Sequence, residues 1–171
     1  ESSYMEKIPL PSDVIIQEIV ATGDHSFVLT TTGTVWSFGD STWSQTGLGL
    51  SAGSFVYPPQ QIQRSHFDYV PVTYISSGYG HSAFMTKYNE VFTCGANNHC
   101  QLGLNKANYH VEFPTRIEIP PDCDGVKKVV CGCAFLYIIS HKNKVYSCGS
   151  NNHGQCAQGV DDQVIPQLKL V

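Results

Sequence analysis

The 171-residue chain has room for one ordinary domain, and 42% hydrophobic against 14% charged residues is the opposite of a disordered composition. A formal net charge of −4 argues against a nucleic-acid binder, which needs a basic surface. No apolar run approaches the length of a membrane helix.

The start, ESSYMEKIPLPSDV, has no basic region leading into an apolar stretch, so it does not read as a signal peptide. It also lacks an initiator Met, as a processed or excised chain would. The seven cysteines form no Cys-x-x-Cys pair, and the chain has no N-x-[ST] acceptor. Free thiols in a reducing compartment, cytoplasmic or nuclear rather than secreted, are therefore expected.

The first predicted element is DVIIQEIV, with the mixed apolar pattern of an inner strand. HSFVLTT and TVWSF follow, two runs of period two separated by TTGT. PPQQIQ supplies a fourth strand, and its prolines favour an edge or a strand end. The same order then recurs. DYVPVTYIS, HSAFMTK, EVFTC and FPTRIEI make the second set; GVKKVVC, KVYSC and VIPQLKL belong to a third.

Three 28-residue segments align without gaps, starting at Thr22, Gly78 and Gly132, with offsets of 56 and 54. Val35, Val91 and Val145 coincide, as do the aromatic residues Trp36, Phe92 and Tyr146. Gly39, Gly95 and Gly149 share a column, and so do Gln45, Gln101 and Gln155. Between the two short strands the third turn residue is Gly33, Asn89 or Asn143, the residue types that best tolerate positive φ in a tight hairpin. Four strands per unit of about 55 residues is the pattern of a propeller blade. The fold class is all-β, with three four-stranded antiparallel blades in an open arc or in part of a larger ring. One partial propeller domain fills 1–171, with repeats over approximately 14–68, 69–125 and 126–171.

The repeat also answers a question raised by VFTCGANNHCQLGL. Cys94, His99 and Cys100 lie close enough together to suggest a zinc site. Cys94, however, aligns with Phe38 and Cys148, His99 with Trp43 and His153, and Cys100 with Ser44 and Gly154. No column keeps a ligand throughout, so these residues read as packing and loop positions, with no metal and no cofactor expected. Cys131 and Cys133, two apart, are read the same way.

Three motifs occur in order: G-x-x-H-S, then V-aromatic-[ST]-x-G, then N-x-x-x-Q-L-G. They resemble the regulator of chromosome condensation repeat family, best in the second repeat with GYGHS, NEVFTCG and NNHCQLG. The first repeat departs at Thr22 and in STWSQTG, the third at Phe135 and in QCAQG. The resemblance implies a propeller scaffold, its full ring seven-bladed, that binds proteins in the cytoplasm or nucleus. It also implies an alternative, guanine-nucleotide exchange or other regulation of a small GTPase, as the family's founding member performs.

His25 and His81 precede Ser26 and Ser82, but adjacent strand residues point to opposite faces, which argues against a base–nucleophile pair. Each imidazole is expected to bond a backbone carbonyl, and Gln45, Gln101 and Gln155 to brace loops. No phosphate-loop template occurs, and no catalytic residue is assigned. Lys127, Lys128, Lys142 and Lys144 cluster beside Asp122 and Asp124 and read as a solvated face. The segments between repeat cores carry Phe55, Tyr57, Phe67, Tyr69, Tyr109 and Phe113, loop aromatics that either anchor a protein partner or pack between blades. Three blades leave two flanks bare, so further blades of the same propeller or a second copy of the chain are expected to cover them, with DVIIQEIV and VIPQLKLV as contact segments. Nucleic acid and membrane are not expected partners.

Overall fold

The structure is a computed structural model that describes residues 7–104 and 108–171. Its twelve strands form three four-stranded sheets, each an antiparallel meander in chain order. The first holds β1 (Ile16–Thr22), β2 (His25–Thr30), β3 (Val35–Asp40) and β4 (Phe55–Gln61). The second holds β5 (Val72–Ser77), β6 (His81–Thr86), β7 (Val91–Ala96) and β8 (His110–Arg116). The third holds β9 (Val126–Cys131), β10 (Phe135–Ser140), β11 (Val145–Ser150) and β12 (Val164–Leu170). Short 3-10 turns lie at Leu50–Ala52 and Arg64–Phe67.

Local chemistry dictates this blade three times. Gly33, Asn89 and Asn143 take φ of 76°, 60° and 61° at the β2–β3, β6–β7 and β10–β11 hairpins. Their amides donate to Thr30, Thr86 and Ser140 at 2.9, 2.9 and 3.0 Å. Gly39, Gly95 and Gly149 take φ of 101°, 103° and 111°. At this point the third strand crosses the preceding turn, and the next amide donates to it: Asp40 to Asp24 O at 2.7 Å, Ala96 to Gly80 O and Ser150 to Ala134 O at 2.8 Å. A Cβ on Gly95 would lie 2.5 Å from Gly80 O, so the column demands glycine for space as well as for φ.

The outer strand is bulged at one place in every blade. Residues 57–59, 112–114 and 166–168 each stand opposite a single residue of the third strand. Pro58, Pro59, Pro114 and Pro166 fall in these bulges, where no ladder bond needs their missing amide.

The core lies between the blades. Phe27, Leu29 and Val35 of the first blade pack with Ile75, Phe84, Phe92 and Cys94 of the second. Ala83 and Val91 pack with Val129, Leu136, Ile138, Tyr146 and Cys148 of the third. The blades meet through their inner strands, β1 and β2 against β5, then β5 and β6 against β9. Four columns face the following blade. His25, Phe27, Leu29 and Val35 are buried there, as are His81, Ala83 and Val91, while Met85 is half-buried. In the third blade all four of their counterparts, Phe135, Tyr137, Ile139 and Val145, are only half-buried. The arc is open on that side. On the first blade Ile15, Ile16 and Ile19 are exposed.

Candidate interaction surfaces

The motif histidines work inside the blade seams. Nε2 of His25 lies 2.7 Å from Ser77 Oγ and 3.1 Å from Ser82 Oγ, both on the second blade. Ser82 Oγ in turn donates to Gln45 O at 2.8 Å. The expected backbone carbonyl is thus replaced by hydroxyls of the neighbouring blade, because the ring faces the seam and not its own sheet. A histidine does meet a serine here, but from another repeat and in a closed site: His25 is 2% exposed and Ser82 fully buried. Burial pushes the His25 pKa down to about 4, against the pull of Asp40 and Asp24.

His81 occupies the same position at the next seam. The counterparts of Ser77 and Ser82 there are Cys131 and Leu136, which offer no hydroxyl. His81 is fully buried and has no side-chain hydrogen-bond partner among the described residues; burial brings its pKa down to about 4, against the pull of a backbone contact with Phe135 of the third blade. In the third blade the column becomes Phe135, on the open flank, with an edge-on contact to Tyr137 at 5.8 Å.

The glutamine column clamps the loop after the third strand. Gln45, Gln101 and Gln155 each accept from the amide two residues earlier, Trp43, His99 and His153, at 2.9, 2.9 and 2.8 Å. Their amide groups donate to Asp40, Asn98 and Ser150. Asn97 and Asn151 add a second brace, accepting from Leu102 N at 3.2 Å and Cys156 N at 3.0 Å. These asparagines were not singled out from sequence, although N-x-x-x-Q is the spacing that carries them.

Cys94 and Cys148 lie fully buried in the two seams, where burial pushes both thiols up. His99 and Cys100 sit apart from Cys94 in the loop, and Cys133 is exposed beyond β9. Among the described residues no group of three or more His, Cys, Asp or Glu is arranged to hold a metal ion. The lysine cluster is tied to neighbours: Lys144 Nζ donates to Asp122 O at 3.0 Å, and Lys127 Nζ to Asn143 Oδ1 at 3.0 Å. Two open grooves of about 880 and 730 Å³ flank the linker 117–121; of the motif His, Gly and Gln only Gly103, which closes NNHCQLG, lines one of them.

The candidate anchors divide. Phe55, Tyr57 and Tyr109 are 69%, 63% and 78% exposed, and Tyr69 is exposed at the end of its 3-10 turn. Phe55 and Tyr57 belong to β4 and Phe113 to β8, so they stand on outer strands and not in loops. The ladder simply begins earlier than the proline-marked runs suggest, because the bulge lets it pass the prolines. Phe113 stacks on His66 at 4.5 Å and is partly committed to the seam. Phe67 is no anchor. It is 3% exposed and packs edge-on against Phe84 and Phe92, its apolar ring drawn from the 3-10 turn into the first seam.

Three repeated blades with internal motif side chains and an exposed aromatic rim define a repeat scaffold of the β-propeller class. The sequence pattern of the regulator of chromosome condensation (RCC1) repeat matches residues 32–85 and 88–139, and a second pattern of the same repeat matches 16–42. The chain belongs to this family. The units matched at 32–85 and 88–139 straddle blades, joining the outer half of one to the inner half of the next, whereas 16–42 lies within the first blade. Among curated relatives, the mouse secretion-regulating guanine nucleotide exchange factor is 34% identical over 140 residues, covering 78% of this chain and 28% of the relative. Mouse probable E3 ubiquitin-protein ligase HERC4 is 31% identical, covering 83% and 13%. Human protein RCC2 is 28% identical, covering 86% and 27%. The chain thus spans less than a third of these relatives. Among solved structures, human WBSCR16 superposes with a TM-score of 0.81 at 19% identity, covering 94% of this chain and 39% of that one. Prp20p of Saccharomyces cerevisiae, in a structure described with its binding to Gsp1p and histones, gives 0.80 at 21% identity, covering 97% and 41%. Both support the propeller fold.

Proposed function

We propose that the chain is a non-catalytic protein-interaction scaffold acting in the cytoplasm or nucleus, with no cofactor, nucleic acid or membrane among its partners. One observation carries this reading. The motif histidines and glutamines are consumed in holding seams and loops, while Phe55, Tyr57 and Tyr109 stand exposed on the rim. Exposed aromatics of this kind are the side chains that dominate protein interfaces. The open flank of the third blade is read as covered by further blades or by a second copy of the chain. Affinity capture compares the parent protein with a Phe55→Ser, Tyr57→Ser, Tyr109→Ser variant. Partners retained equally by both would remove the rim from the reading.

A second reading, regulation of a small GTPase by nucleotide exchange, is favoured by the 34% identity to a relative named as an exchange factor. A nucleotide-release assay over a panel of small GTPases tests it. No acceleration over the intrinsic rate for any member would dismiss it.

A further inference from the structure

Each blade has two unlike ends. At one lie the β1–β2-type turn and the β3–β4-type loop; at the other lie the β2–β3-type hairpin and the linker between blades. Charge divides between them. The described residues include nine Lys and Arg: Lys7, Arg64, Lys87, Arg116, Lys127, Lys128, Lys142, Lys144 and Lys169. All of them lie before β1, in hairpins, in linkers or in the strand portions beside these. None lies in a turn or loop of the first end, where the charged side chains are Asp24, Asp40, Asp161 and Asp162; Lys106 is outside the described residues.

The seam of blades one and two gathers two of these carboxylates with two exposed aromatics. Asp40 N donates to Asp24 O at 2.7 Å, which holds the two residues side by side. Desolvation works against the Asp40 charge, but hydrogen bonds from Thr42 and Gln45 outweigh it and keep the carboxyl below its ordinary range. Tyr79, from the next blade, lies over Gly23, its Cδ2 3.7 Å from where a Cβ would stand. Trp43 lies over Gly80 in the same way, at 3.6 Å. Trp43 is 45% exposed and Tyr79 64%. His25, next to Asp24 in the chain, leaves its Nδ1 buried and unpartnered.

We propose that this face, formed by Asp24, Asp40, Trp43 and Tyr79, docks a basic segment of a protein partner by receiving a Lys or Arg side chain between the aromatic rings and the carboxylates. Aromatic faces attract cations, and two carboxylates with no ion pair among the described residues supply the complementary charge. The neutral, buried His25 ring does not compete for them. The inference rests on the scaffold reading and assigns it a partner chemistry at the end of the blades where Phe55, the cross-strand partner of Asp40, also stands.

The test uses a Trp36→Phe variant of the 171-residue chain, which leaves Trp43 as the sole tryptophan; Phe92 fills the same column in the second blade. Trp43 fluorescence is titrated with a capped Lys/Arg-Gly-Ser peptide and with its Glu-for-Lys/Arg counterpart. The basic peptide is expected to saturate the signal, to bind at least about tenfold more tightly than the acidic one, and to weaken with added salt. Asp24→Asn and Tyr79→Ala are each expected to weaken it by about two- to fivefold, and Lys142→Ser, Lys144→Ser to leave it unchanged. Equal binding of both peptides, absence of saturation, or indifference to Asp24→Asn in a protein with an unchanged melt would overturn the proposal. The peptide comparison itself needs no site variant, so misfolding of one cannot rescue the idea. Partner capture that persists in the Asp24→Asn, Tyr79→Ala protein would sink this face and leave the scaffold standing. An empty capture beside normal peptide binding would do the reverse.

Discussion

Acidification should unseat the blades through their two seam histidines. Both fold as neutral rings, with pKa values of about 4 against 6.5 for an ordinary histidine. The unfolded chain therefore binds more protons than the folded one between these values, and stability falls as pH drops through that window. The full contribution is about 3 kcal/mol for each ring, of which about 2 is lost by about pH 5, or about 4 kcal/mol for the pair. That is a large part of the 5–15 kcal/mol typical of a folded domain. His66, also lowered by burial, adds to the effect with the same sign. Urea midpoints measured between about pH 7.5 and about pH 5 should fall steeply. His81→Phe separates the cause from general acid sensitivity. The ring has one polar contact to lose, with the Phe135 backbone, and no side-chain partner among the described residues, and the third repeat carries Phe135 in the same column. The variant should keep its stability at neutral pH and lose roughly half of the pH dependence. Wild-type midpoints that stay flat to pH 5, or a His81→Phe protein with the full slope, would refute the reasoning.

Other perturbations follow from the same contacts. Gly95→Ala places a Cβ 2.5 Å from Gly80 O at φ 103° and should cost about 2–4 kcal/mol, read by chemical denaturation, with Gly39 and Gly149 behaving alike. Gln101→Ala removes the acceptor of His99 N and the donor to Asn98, so a loss of about 1–2 kcal/mol is expected, with faster amide exchange confined to residues 97–103. The half-buried Phe135, Tyr137, Ile139 and Val145 should make the 171-residue chain bind hydrophobic dye or self-associate in sedimentation velocity, and Ile139→Lys should suppress both. A monomer that binds no dye would show that this flank needs no cover.

The blade itself was legible without a structure. Strand periodicity, the Gly33/Asn89/Asn143 hairpins and the Gly39/Gly95/Gly149 strand ends are local matters, decided by φ preference and by side-chain alternation within a few residues. Threefold repetition made them easier to see, since a column tolerating Phe38, Cys94 and Cys148 announces burial. The glutamine clamp was readable for the same reason, as its partners lie two to five residues away. Contacts between repeats were another matter. His25 finds its partners 52 and 57 residues on, in the next blade, and nothing in its own repeat names them. Phe67 looked like an anchor because a 3-10 turn in a linker carries no period to mark its inner side; only the docking of two blades made the seam that buries it. The division of charge between the blade ends, and the meeting of Asp24, Asp40, Trp43 and Tyr79, likewise arise because antiparallel strands return every second connection to the same end. Sequence determined the blade through short-range backbone and packing rules. The tertiary structure decided which residues meet across the seams and which are left for a partner, because those choices depend on how separate blades stack.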